Sequence, residues 1–260
     1  MNLTLKHPLA FVPTMGALHA GHQSLIELAK AECSEVVVSV FVNPLQFENP
    51  EDLAKYPRDL DGDATKAESA GATYVWAPTV EEIYPAKPEI ISAGDFGNLF
   101  EGVHRFGHFD GVLTVVKRLF DLTQPEVAVF GEKDYQQLFL IKKMVRELAL
   151  PIKIIDGPII REEDGLAMSS RNVRLNKDDR AAALVISKAL REASSAKNLK
   201  GARESLHKIL ATENNFILDY AEIIDEATFE IAGADCTTPR ALVAGWINGV
   251  RLIDNMVISL

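Results

Sequence analysis

Leu9-Ala10-Phe11-Val12-Pro13-Thr14-Met15-Gly16-Ala17-Leu18-His19-Ala20-Gly21-His22 runs from an apolar strand through a glycine-flanked turn towards a helix over Gln23–Lys30. Gly16 and Gly21 let the backbone approach a ligand closely, and the first turn of the helix offers unpaired N–H groups to an anion. His19 and His22 are three residues apart, a spacing that puts both imidazoles on one face of a helical turn. A bare H-x-x-H is more often a packed pair or a metal site; its place at a strand-to-helix turn favours contact with an anionic ligand. The turn is neither a Walker loop, which needs Gly-Lys-Ser/Thr, nor a G-x-G-x-x-G dinucleotide turn.

Working outward, strands and helices alternate. Val36–Val42 is a nearly continuous β-branched run, as in a strand buried on both faces. Asp59–Ala70 reads as a helix that Gly71 closes. Tyr74–Trp76, Val127–Phe130 and Ile152–Ile155 read as strands, Val112–Leu122 and Tyr135–Leu148 as helices. Such alternation predicts right-handed βαβ units and a Rossmann-like parallel sheet, an α/β fold. After about Ile160 the pattern changes. Asn176 suits a helix N-cap ahead of Asp178 and Asp179, and helical stretches continue to Leu210. Ile217–Ile224, Arg240–Ile247 and Val250–Ile258 then alternate as strands, with Asn248-Gly249 as a hairpin turn. The expectation is two domains, residues 1–159 and a small α+β domain with an antiparallel sheet over 160–260.

Composition narrows the function classes. The chain has 260 residues, and its 27 Lys+Arg against 37 Asp+Glu give a net charge of −10. That surface repels phosphate backbones and anionic lipid, so nucleic acid and membranes are not expected partners. Cys33 and Cys236 form no disulfide framework or metal spacing, which suits a reducing compartment. Met1–Pro8 lacks an apolar signal core, and no apolar run approaches the length of a membrane helix. A cytosolic protein is expected.

Three further segments carry candidate chemistry. In Phe41-Val42-Asn43-Pro44-Leu45-Gln46-Phe47, after the second strand, Asn43 and Gln46 could bind a carboxylate and hydroxyl; alone, the segment reads better as a plain Asn-Pro turn. In Gly131-Glu132-Lys133-Asp134-Tyr135-Gln136-Gln137, Lys133 offers a charge for phosphate, Asp134 suits an N-cap, and Gln137 lies one turn into the helix. In Met168-Ser169-Ser170-Arg171-Asn172, two hydroxyls and a guanidinium suit a triphosphate, or a serine-rich turn. Asp59, Asp61 and Asp63 resemble a metal cluster but read more simply as a helix N-terminus, and His104 and His108 are left open.

At these four motifs the chain resembles the pantothenate synthetase family of the nucleotidylyltransferase superfamily. His19-Ala20-Gly21-His22 resembles the superfamily's HIGH element, and Met168-Ser169-Ser170-Arg171-Asn172 its KMSKS-like loop. The F-V-N-P-L-Q-F and G-E-K-D-Y-Q-Q-L segments are narrower and resemble this family specifically. The resemblance implies that pantoate, ATP and β-alanine give pantothenate, AMP and pyrophosphate through a pantoyl-adenylate. It implies ATP contacts from Met15, Gly16, Ala17, Leu18, His19, Ala20, Gly21 and His22, from Gly131, Glu132, Lys133 and Asp134, from the backbone near Ile160, and from Met168, Ser169, Ser170 and Arg171. Gln46 and Gln137 would hold pantoate, with Gln46 also near β-alanine, and Asn43 joins them as a substrate-binding candidate from its own motif. His22 would be the catalytic histidine and a proton donor. Mg²⁺ dependence and a homodimer are implied as well, with the metal ligands unknown.

Two departures stand out. The family usually carries more chain before its first strand. It also often reads R-P-G-H-F-R-G where this chain has Arg105-Phe106-Gly107-His108-Phe109-Asp110-Gly111, so Asp110 replaces a basic residue. Two rivals are a cytidylyltransferase or tRNA synthetase of the same superfamily and a non-catalytic nucleotide-binding module. The negative charge argues against tRNA, and the paired carboxylic-acid-side glutamines argue against a mere binding module.

Overall fold

A computed structural model describes residues 5–47, 53, 56 and 58–259. The first four residues of the Met1–Pro8 segment considered above lie outside them. The chain divides into two compact units, Met1–Pro158 and Ile159–Leu260.

The first unit is a five-stranded sheet in the order β3-β2-β1-β4-β5. Its strands are β1 (Leu9–Thr14), β2 (Glu35–Val40), β3 (Tyr74–Trp76), β4 (Val127–Gly131) and β5 (Lys153–Gly157), and every pairing is parallel. Helix α1 (Ala20–Glu32) connects β1 to β2, and α2 (Leu60–Ser69) precedes β3. Beyond β3 come the short α3 (Val80–Ile83) and α4 (Glu101–His104), then α5 (His108–Thr123). Helix α6 (Tyr135–Glu147) joins β4 to β5.

Period-two alternation sends each strand's side chains to opposite faces. Leu9 and Phe11 of β1 join Val37, Ala128 and Phe130 in a core with α5 and α6. Ala10 and Val12 join Val36, Val38, Val127 and Val129 in a core with α1 and α2. Both faces are therefore covered, the condition that a continuous β-branched run anticipates. Helix α5 is buried along most of its length, from His108 to Thr123, and ends at Gln124 in the left-handed conformation, one residue before Pro125. Gly71, at φ +106°, closes α2 as a C′ residue should.

The sheet order reverses direction beside β1, which has β2 on one side and β4 on the other. In an open parallel sheet this switch point is where loops at the carboxyl ends diverge and leave room for a ligand. The loops after β2, β1 and β4 are the first three motifs of the sequence.

The second unit packs α7 (Lys177–Ser194) and α8 (Leu199–Leu210) on an antiparallel sheet of β6 (Ile217–Asp225), β7 (Pro239–Ile247) and β8 (Val250–Val257). Leu190, Ala202 and Leu206 meet Ala221, Ile223, Ala241 and Val243 in its core. Asn176 caps α7, accepting from the N–H groups of Asp178 and Asp179. Asn248 and Gly249 link β7 to β8 with φ +46° and +76°, the twin left-handed residues of a type I′ turn.

Ile26 is fully buried between α1 and the sheet. Ile26→Ala should lower the unfolding free energy by ~2–5 kcal/mol, the usual cost of such a cavity. Urea denaturation followed by circular dichroism would measure it; a midpoint equal to that of the native chain would contradict this packing.

Candidate active site

The loop after β1 is held from below. Thr14 Oγ1 donates to the carbonyl of Ser39 at 2.7 Å and accepts from Gly16 N–H at 3.2 Å. Gly16 and Ala17 both take positive φ, +87° and +52°. For Ala17 this costs about 1–2 kcal/mol, so something must hold it there. The holder is Asp63, whose Oδ2 accepts from Ala17 N–H at 2.9 Å and Oδ1 from Leu18 N–H at 2.7 Å. Asp63 is 1% exposed. The sequence shows Asp63 only as an acidic residue in the first turn of α2; a pairing across 46 positions leaves no local signal.

His19 does not ride on the helix face as the spacing suggests. It is the N-cap of α1 with extended backbone, and His22 is the third helical residue. The two form a reciprocal capping box. His19 Nδ1 accepts from Gly21 N–H at 3.1 Å, and His22 Nδ1 accepts from His19 N–H at 3.3 Å. The rings stand with centroids 4.2 Å apart. An imidazole whose Nδ1 accepts carries its proton on Nε2, so each ring presents Nε2–H as its donor. Burial, and next the proximity of His19, push the His22 pKa down from 6.5 to about 3. Asp134 raises it while Lys133 and Lys66 lower it, so the loop after β4 lies within electrostatic reach of the histidine pair.

That second loop is a short 3-10 turn, Glu132–Asp134, leading into α6. Asp134 stands at the N-cap of α6 as expected, but its side chain makes no capping hydrogen bond. Gln137 lies half-buried in the first turn of α6. Its neighbour Gln136, given no role from sequence, is 4% exposed and holds the 96–101 loop. Gln136 Oε1 accepts from Glu101 N–H at 3.0 Å, and Nε2 donates to the carbonyls of Phe96 and Leu99, both at 2.8 Å.

The third loop is the 3-10 turn Pro44–Gln46. Asn43 is 1% exposed, and its amide is fully used within the protein. Nδ2 donates to Gln46 Oε1 at 3.2 Å and to the Gly111 carbonyl at 3.0 Å, while Oδ1 accepts from Leu45 N–H at 3.3 Å and from the Tyr84 hydroxyl at 3.0 Å. Two donors and two acceptors exhaust an amide. Asn43, expected from sequence to meet a ligand, also fixes Gln46 here. With Oε1 turned to Asn43, Gln46 presents Nε2, which donates to the Met15 thioether at 2.8 Å and so joins this turn to the loop after β1. His108 and Gly111 support the same turn from α5. His108, 5% exposed, bonds through Nδ1 to the Gln46 carbonyl at 3.0 Å, and a Cβ on Gly111 would meet the Leu45 carbonyl oxygen at 2.3 Å.

In the second unit, Met168 N–H donates to the Ile160 carbonyl at 2.9 Å, closing a loop bridged by Arg161 and Ala167. Ser169 Oγ accepts from Arg171 N–H at 3.3 Å and caps a 3-10 turn over Ser170–Arg174. Arg171 is exposed. Asn172 is buried and donates to Glu162 Oε1 at 2.6 Å and to the Ala167 carbonyl at 3.0 Å; Arg180 then grips Glu162 and Asp164. The motif of residues 168–172 is thus a braced turn.

The model of the family described as pantoate-beta-alanine ligase matches residues 2–257. A pantothenate synthetase of Acidothermus cellulolyticus is 49% identical over 261 residues, covering 97% of this chain and 86% of that one. A pantoate–beta-alanine ligase of Schizosaccharomyces pombe is 46% identical, covering 95% and 90%. Among solved structures, the pantothenate synthetase of Thermus thermophilus superposes with a TM-score of 0.92 at 43% identity, covering 98% of this chain and 94% of that one. The pantoate-beta-alanine ligase of Francisella tularensis, complexed with beta-gamma ATP and beta-alanine, gives 0.78 at 37%, covering 98% and 92%.

Because the folded-state pKa of His22 lies below its ordinary 6.5, unfolding takes up a proton as pH falls through the window from 6.5 to about 3. His22 therefore subtracts from stability progressively below pH 6.5 and has no such effect above it. The ring should stay neutral from about pH 8 down to about pH 5, with a flat imidazole chemical shift in NMR titration; a midpoint near the ordinary 6.5 would contradict the buried, capped geometry.

Proposed function

Because the chain belongs to the pantoate-beta-alanine ligase family, we infer its reaction and assign its residues from that premise. It condenses (R)-pantoate with β-alanine to pantothenate in an ATP-dependent ligation that passes through a pantoyl-adenylate and releases AMP and pyrophosphate. The single observation that supports placing the chemistry at the switch point is the approach of the His19–His22 pair to the Lys133 turn, within one loop cluster with Gln46.

A carboxylate does not acylate an amine at neutral pH, because its charge deters attack and oxide leaves poorly. Attack of a pantoate carboxylate oxygen on the α-phosphorus of ATP forms a P–O bond and breaks the bond to the β-phosphate, releasing pyrophosphate. The β-alanine amine then attacks the acyl carbon and AMP leaves with the C–O electrons. Such in-line transfer depends on positioning and on stabilising charge more than on covalent catalysis.

In this reading the loop of Met15, Gly16, Ala17, Leu18, His19, Ala20, Gly21 and His22 lies along ATP, with Gly131, Glu132, Lys133 and Asp134 opposite. Ile160, Met168, Ser169, Ser170 and Arg171 are assigned to the nucleotide on the strength of their motif. His22 acts as a neutral hydrogen-bond donor through Nε2 to oxygens that gain charge during transfer, and Lys133 supplies the compact positive charge. Gln46 and Gln137 hold pantoate; Asn43 fixes the Gln46 amide so that its NH₂ faces the acid.

Mg²⁺ belongs to the same reading. Among the described residues no group of three His, Cys, Asp or Glu gathers to hold a metal. Were the ion held on ATP, it would neutralise phosphate charge there. Residence in the cytoplasm as a homodimer is proposed from the family resemblance; no described helix is long and apolar enough to cross a membrane.

Mass spectrometry of incubations with pantoate, ATP and β-alanine should show pantothenate and AMP, and ATP–pyrophosphate exchange should require pantoate. Removing one such donor typically raises a barrier by ~3–4 kcal/mol, so His22→Ala should slow adenylate formation at least ~100-fold while leaving the fold intact. Near-normal turnover by that variant would refute the assignment of His22.

A further inference from the structure

A turn whose successive N–H groups converge makes one concave nest, the arrangement that commonly cradles a phosphate oxygen. In this chain the nest formed at Gly16 and Ala17 is already filled. The two Asp63 oxygens take the N–H groups of Ala17 and Leu18 at 2.9 and 2.7 Å, and the carboxylate is 1% exposed. The fit is close, since a Cβ on Gly16 would lie 2.8 Å from Asp63 Oδ2 and 3.1 Å from the Val40 side chain. Asp63 itself is fixed by the first turn of α2, where Asp59 caps the helix through Gly62 N–H at 3.1 Å and accepts Asp63 N–H on its carbonyl at 2.9 Å.

We propose that Asp63 is a positioning residue for adenylyl transfer: an internal anion that occupies the loop's nest, holds Gly16 and Ala17 in their left-handed conformation, and thereby sets where His19 and His22 aim their Nε2 donors. The inference rests on the assignment of this loop to ATP. Two consequences follow from the geometry. The amides of Ala17 and Leu18 are not phosphate ligands, so the nucleotide meets this loop through the imidazoles and the start of α1. The clamp bears directly on Ala17 and Leu18, whereas the Asn43–Gln46 turn meets this loop one residue before Gly16, where Gln46 donates to Met15.

Kinetics of Asp63→Asn and Asp63→Ala, measured as pantoate-dependent ATP–pyrophosphate exchange, test this. Wild type is assayed first, and absence of exchange there would defeat the ligase reading rather than the clamp. A displacement of about 1 Å at a reacting group can slow a reaction ~100-fold. Both variants should fall by about that factor in kcat while the KM for pantoate changes by less than about threefold. Formate added to Asp63→Ala should refill the nest and restore part of the rate saturably, with no effect on Asp63→Asn or wild type, a response that general loss of structure would not give. If neither variant folds, Gly16→Ala, which forces the carboxylate out of the turn, should show the same kcat-selective loss. A folded Asp63→Asn within about threefold of wild-type kcat, or a loss falling equally on the KM for pantoate and not relieved by formate, overturns the proposal.

Discussion

Every parallel strand in this sheet ends by releasing its backbone from the ladder, and the N–H and C=O groups freed there must find partners or be desolvated at a cost of about 1–3 kcal/mol each. That constraint organises the candidate site. After β1 the freed amides go to Asp63; after β2 they go to the Asn43 side chain. Beside the loop after β4, Gln136 takes up the backbone of the 96–101 segment. In each case a buried polar side chain uses its own hydrogen-bonding capacity internally. Side chains fully engaged within the protein cannot rotate to follow a substrate, so the groups they support are pre-oriented.

The same internal bonding decides how charge is handled. The histidine pair reads from sequence as aimed at an anionic ligand; each Nδ1 accepts a backbone N–H, and burial drives His22 to a pKa of about 3. A neutral imidazole stabilises a developing negative charge through a single N–H dipole, which needs no counter-ion and stays in place at any pH where the ring remains uncharged. On the proposed assignment the cationic share then falls to Lys133 and Arg171. In a chain of net charge −10, positive potential has to be local.

Legibility followed sequence separation. The strands were readable because β-branched and apolar runs in a sheet covered on both faces leave a continuous signal, as in β2. The helix ends at Asn176 and Gly71 and the turn at Asn248-Gly249 were readable because capping and positive φ are local chemistry. The site was readable as a set of loops but not as a mechanism of support. The 46-residue step from Ala17 to Asp63 and the 68-residue step from Asn43 to Gly111 have no periodicity to betray them. Two local inferences also fell short for a physical reason. The i,i+3 spacing of His19 and His22 puts both rings on one face only if both residues are helical, whereas His19 is the cap with extended backbone. Asp134 occupies a cap position without the capping bond, because a 3-10 turn runs into α6 directly.

Asp110 shows how a departure from a family pattern can be resolved by geometry. Where a basic residue is usual, this chain has a carboxylate in the first turn of α5, a position that an anion suits by the helix dipole. Asp110 Oδ1 accepts the N–H of Ala93 at 2.7 Å, and one turn along Thr114 Oγ1 accepts the N–H of Ile91 at 2.9 Å. The two side chains tie the 91–93 segment to α5 as a rung of backbone bonds would. That tether leaves the other side of the same helical turn, His108 and Gly111, to press on the Leu45–Gln46 backbone. A basic side chain at 110 could not accept the Ala93 amide proton. Asp110 therefore anchors α5 on one side while His108 and Gly111 bear on the Gln46 turn from the other.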